Sequence, residues 1–238
     1  MDSDAGRVRR ALVVEDDPDV SAIIEFTLAE QGFDVIAVDS GLAGVQAVRD
    51  HQPDLVTLDL GLPGLDGVEV CRQLRTFSDC YVIMLTARAK EVDVLRGLRI
   101  GADDYMTKPF SPRELVTRAN TLLRRPRRLP EQVVESSPVI EIGTLKIDSQ
   151  SRDVRVGGRV VPLTRTEFDV LAALASRPGT ALSRQALIAE VWGPGWVGDE
   201  HLVDVHVLHV RKKLGDRAAR ERFIRTVRGI GYRIGTGT

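Results

Sequence analysis

The chain has 238 residues and an ordinary globular composition, with 43% hydrophobic and 28% charged residues. No apolar run approaches the ~20 residues of a transmembrane helix, and the amino terminus lacks a signal-peptide core, so we expect a cytoplasmic protein with no membrane partner. Its two cysteines, Cys71 and Cys80, match no metal-binding spacing and are expected to be free thiols.

The net charge of −1 conceals a difference between the two halves. Residues 1–126 carry 15 Lys and Arg against 21 Asp and Glu, whereas residues 127–238 carry 18 against 13. An acidic half joined to a basic half indicates separate tasks. The basic half is the candidate for a polyanionic partner.

The first half alternates short apolar runs with stretches of helical periodicity. Strands are expected at 10–15, 33–38, 54–59, 81–86 and 104–107. Nearly continuous apolar strands separated by helices predict five parallel strands and five helices in an α/β, flavodoxin-like fold. Asp17, followed by Pro18, is expected to cap the first helix.

A proline-rich stretch without periodicity follows, and it predicts a linker over residues 127–139. The domains are therefore expected at residues 1–126 and 140–238. In the second, apolar and polar residues alternate around Gly157-Gly158, as in an antiparallel hairpin. Helices are expected from the capping box Thr164–Glu167, from Ser183 and from about Glu200, followed by a terminal hairpin over 223–234. This order predicts an α+β winged helix-turn-helix.

Four of the predicted parallel strands end in polar residues. Asp59 ends the third strand, and the others are Glu15-Asp16-Asp17, Thr86 and Lys108. Because ligands of open α/β sheets bind at the carboxyl ends of the strands, we expect these groups to lie together. Asp59 is the candidate phosphoacceptor, with Thr86 donating a hydrogen bond to the phosphoryl group and Lys108 pairing with it. Asp103 and Asp104 are expected on the surface.

The acids at these strand ends also indicate a magnesium site. Mg²⁺ prefers oxygen ligands and keeps several waters, so one or two carboxylates are enough. Asp16 and Asp59 are the expected direct ligands, with the backbone carbonyl of Gly61 as a third. Glu15 is expected to act through a water molecule. Asp17 is better explained as a helix cap.

Residues 8–125 resemble the receiver domain of bacterial two-component response regulators. The resemblance is carried by Val-Val-Glu15-Asp16-Asp17, Leu-Asp59-Leu-Gly-Leu-Pro-Gly, Leu-Thr86-Ala87-Arg88 and Gly101-Ala-Asp-Asp-Tyr105-Met-Thr-Lys108-Pro-Phe. It implies phosphoryl transfer from the phosphohistidine of a sensor histidine kinase to Asp59. It further implies that Thr86 and Tyr105 form a switch pair and that the Lys108–Pro109 peptide is cis. Gly61 departs from the family, which usually has a bulky side chain there, so we expect altered autodephosphorylation.

The third helix of the second half is the predicted DNA-reading helix. Its apolar stripe, Val203, Val207, Val210 and Leu214, is expected to face the core. The expected DNA contacts are His201, Val205, His206, His209, Arg211 and Lys212 of the helix, with Leu208 on the same side, and Thr226, Arg228 and Tyr232 of the terminal hairpin. A packing role remains open for the three histidines.

Residues 140–235 extend the resemblance to the OmpR/PhoB family through Trp192-Gly193, Val203-Asp204-Val-His206-Val and Thr226-Val-Arg228-Gly-Ile-Gly-Tyr232. The resemblance implies binding to double-stranded promoter DNA, a homodimer on activation and RNA polymerase as a further candidate partner. The family dimerises through charge pairs, of which Asp104 and Arg118 match one. Val94 and Asn120 replace the usual basic residues, which would leave Asp103 and Glu114 without partners.

The resulting hypothesis is a phosphorylation-controlled, DNA-binding transcription regulator, whose only catalysis is its own phosphorylation and dephosphorylation. Two alternatives remain. The first is a metal-dependent phosphatase that forms an aspartyl phosphate, which Gly61 disfavours because that chemistry often needs a second acid there. The second is a DNA-binding protein whose receiver only dimerises, independently of phosphorylation. The set Asp16, Asp59, Thr86 and Lys108 argues against it.

Overall fold

The computed structural model describes residues 8–87, 100–123, 139–196, 198–216 and 221–238. The chain divides into two compact units, Met1–Arg124 and Arg125–Thr238. Of the predicted linker over residues 127–139, residues 127–138 lie outside the described residues, as do Arg88 and Val94. Among the helices of the described ranges, none is long and apolar enough to span a membrane.

The first unit is built on a five-stranded parallel sheet, as predicted. Its strands are β1 (Arg10–Val14), β2 (Asp34–Val38), β3 (Leu55–Asp59), β4 (Tyr81–Thr86) and β5 (Asp104–Thr107). They lie in the order β2-β1-β3-β4-β5, so β1, β3 and β4 are central. Every residue of β3 and β4 is buried, as expected for strands covered on both faces.

The described helices of this unit are α1 (Pro18–Ala29), α2 (Gly41–His51), α3 (Gly67–Leu74) and α4 (Pro112–Leu123). The stretch between β4 and β5 where a further helix is expected, residues 88–99, lies outside the described residues. Asp17 caps α1, since its side chain accepts hydrogen bonds from the backbone N–H groups of Asp19 and Val20. At the start of α3, a Cβ on Gly67 would lie 2.1 Å from the Asp59 carbonyl oxygen, so only glycine fits there.

The second unit begins with a four-stranded antiparallel sheet. The strands β6 (Ile140–Ile142), β7 (Leu145–Asp148), β8 (Asp153–Val156) and β9 (Arg159–Val160) pair in chain order. Gly157 and Gly158 form the β8–β9 turn with φ values of 57° and 83°. A two-residue hairpin turn of this hand requires positive φ at both positions, which glycine adopts without strain.

Three helices follow: α5 (Arg165–Ala175), α6 (Arg184–Val191) and α7 (His201–Leu214). The predicted capping box at Thr164 and Glu167 is present with both of its hydrogen bonds. β10 (Leu182–Ser183), β11 (Ile224–Val227) and β12 (Gly231–Ile234) form an antiparallel sheet in the order β10-β12-β11. Three helices closed by a β-hairpin make the predicted winged helix-turn-helix.

Candidate functional sites

The carboxyl edge of the parallel sheet brings four polar side chains together. Asp59 and Thr86 are the last residues of β3 and β4, while Glu15 and Lys108 directly follow β1 and β5. Glu15, Asp59 and Thr86 are all buried. The Lys108–Pro109 peptide is cis.

Lys108 connects the two buried carboxylates of this site. Its Nζ lies 2.7 Å from both carboxylate oxygens of Glu15 and 3.3 Å from Oδ1 of Asp59. Burial raises the pKa of Glu15 and the Asp59 charge adds to this effect, while the hydrogen bond and charge of Lys108 lower it. The sequence predicts a role for Glu15 through a water molecule, but it does not reveal the direct bond between Glu15 and Lys108. The two residues are 93 positions apart in sequence, so no local pattern signals their contact.

The acids of this edge form a cluster of oxygen donors. Glu15, Asp16 and Asp59 each offer one carboxylate oxygen, and these atoms lie within 4.8 Å of one another. Asp16 is exposed, whereas Glu15 and Asp59 are buried. Oxygen donors with one side open to solvent suit Mg²⁺, which retains several waters when it binds. The residues present therefore fit a magnesium ion.

Gly61 lies directly against the candidate phosphoacceptor. A Cβ built on Gly61 would be 3.2 Å from Oδ2 of Asp59, which is closer than most real contacts of this kind. A side chain at position 61 would therefore press on the Asp59 carboxylate. With glycine, this side of the carboxylate carries no side chain from position 61.

Thr86 and Tyr105 occupy one face of the sheet. Thr86 pairs with Thr107 in the parallel β4–β5 register, and Tyr105 lies two residues before Thr107 on the same strand. Because side chains alternate between faces along a strand, Tyr105 and Thr107 point to the same side, which is also the side of Thr86. Tyr105 is half-buried. The hydroxyl and the aromatic ring are thus placed on adjacent strands and a common face.

The predicted surface position of Asp103 and Asp104 is wrong. Both side chains are buried. Asp103 accepts hydrogen bonds from Arg75 at 2.7 Å and from the Val82 backbone N–H at 2.9 Å. A buried carboxylate is tolerated only when it is paired in this way. Arg75 precedes Asp103 by 28 residues, so the sequence alone did not reveal the pair.

Asp104 and Arg118, the expected dimer-face pair, bind each other within one chain. Nη1 of Arg118 lies 2.8 and 2.9 Å from the two Asp104 oxygens, and both side chains are buried. Nη2 of Arg118 also donates to Glu114 at 2.8 Å. Within a single chain, each of these two residues therefore has its partner inside the receiver fold, and their assignment to a dimer face stays a prediction. Glu114, expected to lack a partner, has one.

The candidate DNA interface is reduced by the packing of α7. Val205, His206 and His209 are predicted DNA contacts, but all three are buried, and for His206 and His209 this is the packing role that the sequence left open. His206 lies against Trp192, with ring centroids 5.3 Å apart, and Nδ1 of His209 lies 3.5 Å from a Glu167 carboxylate oxygen. α7 packs against both α5 and α6, so its buried face is wider than the four-residue stripe expected.

Arg211 and Tyr232 are engaged within the domain as well. Arg211 donates to Glu221 at 2.9 Å, to the Ile224 carbonyl and to Thr226 at 2.8 Å, which ties α7 to the hairpin. Tyr232 is buried and its hydroxyl donates to Asp204 at 2.6 Å. The DNA-contact assignment of Tyr232 is therefore corrected to a packing role. The predicted contacts that remain exposed are His201, Lys212, Thr226 and Arg228.

A parallel sheet with an acidic pocket and a lysine at its carboxyl edge, followed by a winged helix, defines a response regulator with a DNA-binding output domain. Residues 11–120 match the family model of the response regulator receiver domain, and residues 158–234 match that of the transcriptional regulatory protein C terminal. The transcriptional regulatory protein CseB of Streptomyces coelicolor is 44% identical over 231 residues, covering 94% of this chain and 96% of CseB.

Two further relatives agree with this class. The DNA-binding response regulator MtrA of Mycolicibacterium smegmatis is 41% identical over 227 residues, covering 95% of this chain and 97% of MtrA. The crystal structure of DrrB, an OmpR/PhoB homologue from Thermotoga maritima, is 30% identical with a TM-score of 0.50, covering 96% of this chain and all of that one. The chain belongs to the OmpR/PhoB family of response regulators. It is a phosphorylation-regulated, DNA-binding transcriptional regulator.

Proposed function

We propose that Asp59 is the phosphoacceptor of this regulator. One oxygen of its carboxylate attacks the phosphorus of a phosphohistidine on a sensor kinase and forms a P–O bond. The P–N bond breaks, its electron pair stays on the leaving imidazole nitrogen, and that nitrogen takes up a proton from water. The observation that supports this assignment is the position of Lys108. Its Nζ lies 2.7 Å from Oε2 of Glu15 and 3.3 Å from Oδ1 of Asp59. A lysine there can pair with a phosphoryl oxygen as the negative charge on Asp59 is replaced by the charge of the phosphoryl group.

Asp16, Asp59 and the backbone carbonyl of Gly61 are the groups that would hold Mg²⁺ directly, and Glu15 would contact it only through a water molecule. When bound, the ion offsets negative charge on the phosphoryl oxygens. Glu15 acts chiefly on Lys108, since both of its carboxylate oxygens accept from that amine. The buried Glu15 thereby orients Lys108 toward Asp59. The catalysis of the chain is confined to its own phosphorylation and dephosphorylation.

Phosphorylation is read out through Thr86 and Tyr105. The Thr86 hydroxyl turns toward the phosphoryl group, and the Tyr105 ring, on the same face of the sheet, moves into the space beside it. Phosphorylation then shifts an existing equilibrium toward a homodimer that binds two DNA half-sites. His201, Lys212, Thr226 and Arg228, which are exposed, are the proposed DNA contacts. RNA polymerase is a further proposed partner of the DNA-bound form.

The groove between α1 and α4 is the proposed binding site for the sensor kinase. Ile23 and Phe26 of α1 are 50% and 68% exposed, and the groove is completed by Pro112 and Val116 of α4. α1 and α4 both begin within four residues of a site residue, Asp16 or Lys108. A protein donor lying along this groove could therefore reach the carboxyl edge of the sheet. Phe26→Ala should lower the phosphorylated fraction in cells while leaving labelling by acetyl phosphate unchanged.

The assignment of Asp59 is tested by incubating the full chain with acetyl phosphate and Mg²⁺ and measuring its intact mass. We expect the mass of one phosphoryl group to be added, to depend on the metal, and to disappear in Asp59→Asn. Asp66→Asn is the matched control, because Asp66 is a helix cap and should leave labelling intact. Labelling that persists in Asp59→Asn would place the acceptor elsewhere.

A further inference from the structure

The solvent face of α7 has an apolar side chain at its centre. One side of the helix carries five residues at successive spacings of three, four, three and one, namely His201, Asp204, Leu208, Arg211 and Lys212. Leu208 is 49% exposed, whereas Val207 and His209 on either side of it are buried. A single exposed leucine is common on protein surfaces, so its meaning depends on what surrounds it.

Two charged residues near Leu208, Asp204 one turn before it and Arg211 one turn after it, are engaged inside the domain. Asp204 accepts hydrogen bonds from Tyr232 at 2.6 Å and from Arg184 at 2.7 Å. Arg211 donates to Glu221, to Thr226 and to the carbonyl of Ile224. If Asp204 or Arg211 read a base edge, these bonds would have to break. The middle of the face that α7 offers to DNA is therefore apolar in character.

We propose that Leu208 determines sequence specificity by contacting the C5-methyl group of a thymine in the major groove, an inference that rests on the DNA interface proposed above. In that groove only thymine, of the four bases, presents a methyl group. Leucine has no hydrogen-bonding group, so it leaves the polar edges of the other bases without a partner after their water is displaced. Thymine at this position is therefore preferred.

The exposed cations have a different task. Lys212 lies one turn after Leu208, and Arg228 lies in the loop between β11 and β12. Both are exposed and suited to phosphate oxygens, which fix position on the duplex without carrying sequence information. Substitution of Leu208 should therefore change which sequences are bound, whereas substitution of Lys212 should weaken binding to all of them.

The test uses the full chain treated with acetyl phosphate and a pool of randomised double-stranded DNA. Duplexes enriched by the wild type are resynthesised with each thymine replaced in turn by deoxyuridine, which removes the methyl group and keeps the base pair. We expect one thymine in each half-site whose replacement weakens wild-type binding about fourfold, the effect of losing one buried carbon. Leu208→Ala should bind the thymine and deoxyuridine duplexes equally, and Leu208→Met should restore the difference.

Lys212→Ala is the control, since it should lose affinity and retain the wild-type ratio between the two duplexes. An enriched duplex with no deoxyuridine-sensitive thymine would overturn the role of Leu208 alone. The same conclusion follows if Leu208→Ala keeps the wild-type sensitivity. A pool from which the wild type enriches nothing would overturn the proposed DNA interface together with this inference.

Discussion

Lys108 links the two buried carboxylates of the receiver site. Its amine lies between Glu15 and Asp59, so it offsets the repulsion between two buried carboxylates that would otherwise raise the pKa of Glu15 further. The strand-end positions of Asp59, Thr86 and Lys108 were predictable because apolar runs ending in polar residues mark the edge of a parallel sheet. The hydrogen-bond and ion-pair partners of these side chains were not predictable, because the partners lie far apart in sequence.

Gly61 offers the sharpest test at the scale of one residue. A side chain at this position would start 3.2 Å from Asp59 Oδ2 and would hinder water from approaching the acyl phosphate. Gly61→Met should lengthen the lifetime of the phosphorylated protein by up to about tenfold, equivalent to about 1.4 kcal/mol of barrier. The measurement is loss of the phosphoryl mass after removal of acetyl phosphate, with Gly61→Ala expected to change less. An unchanged lifetime in Gly61→Met would show that position 61 does not control access of water to the acyl phosphate.

Glu167 gives a prediction about pH. Burial raises its pKa, but the hydrogen bond from His209 and the charge of Lys213 outweigh burial and lower the pKa from 4.5 to about 2. A group whose pKa is lower in the folded state than in the unfolded state stabilises the fold at pH values above the unfolded-state pKa. This stabilisation is lost as the pH falls through the folded-state pKa. Glu167→Gln keeps the acceptor oxygen and removes the charge, so it should cost about 3 kcal/mol at neutral pH.

The difference in unfolding free energy between wild type and Glu167→Gln should shrink as pH falls from 4.5 toward 2. Urea unfolding monitored by tryptophan fluorescence measures it, since Trp192 is buried in the same unit. Glu141→Gln, which changes an exposed glutamate of β6, is the control and should show little difference at any pH. If the loss of unfolding free energy in Glu167→Gln does not vary with pH, the charge of Glu167 is not its cause.

A buried ion pair between Asp104 of β5 and Arg118 of α4 holds this helix against the sheet. Breaking a buried ion pair by removing one of its two members typically costs about 3–5 kcal/mol. Arg118→Ala should therefore destabilise the receiver by that amount in chemical denaturation. Arg113→Ala removes an exposed arginine of the same helix and should change stability by less than about 0.5 kcal/mol. Equal effects of the two substitutions would show that the pair is not structural.

The elements themselves were largely predictable, whereas the faces of α7 were not. The five parallel strands, the Gly157-Gly158 turn and the capping box at Thr164 follow from local patterns, and the structure confirms them. The prediction that His206 faces DNA is wrong because the sequence shows the periodicity of apolar residues along a helix. It does not show how many other helices pack against that helix. α7 packs against two helices, so residues such as Val205 beside the apolar stripe are buried too.

At the scale of the whole molecule, the DNA-binding half carries the basic surplus of the chain. If Lys212 and Arg228 each contact one phosphate, either alanine variant should weaken binding to all sequences and reduce the salt slope of the affinity by about one. Fluorescence anisotropy with a labelled duplex over a range of salt concentrations measures this slope. Lys146→Ala, an exposed lysine of β7, is the control. A slope unchanged in both Lys212→Ala and Arg228→Ala would remove these residues from the interface.

Phosphorylation of Asp59 is proposed to control this DNA-binding activity in the intact chain. The most direct measurement is the affinity of the full chain for one enriched duplex, with and without acetyl phosphate and Mg²⁺, in the wild type and in Asp59→Asn. The wild type should bind more tightly after treatment, and Asp59→Asn should bind equally in both conditions. Control of DNA binding by Asp59 would be excluded if treatment left wild-type affinity unchanged, or if it raised the affinity of Asp59→Asn by the same factor.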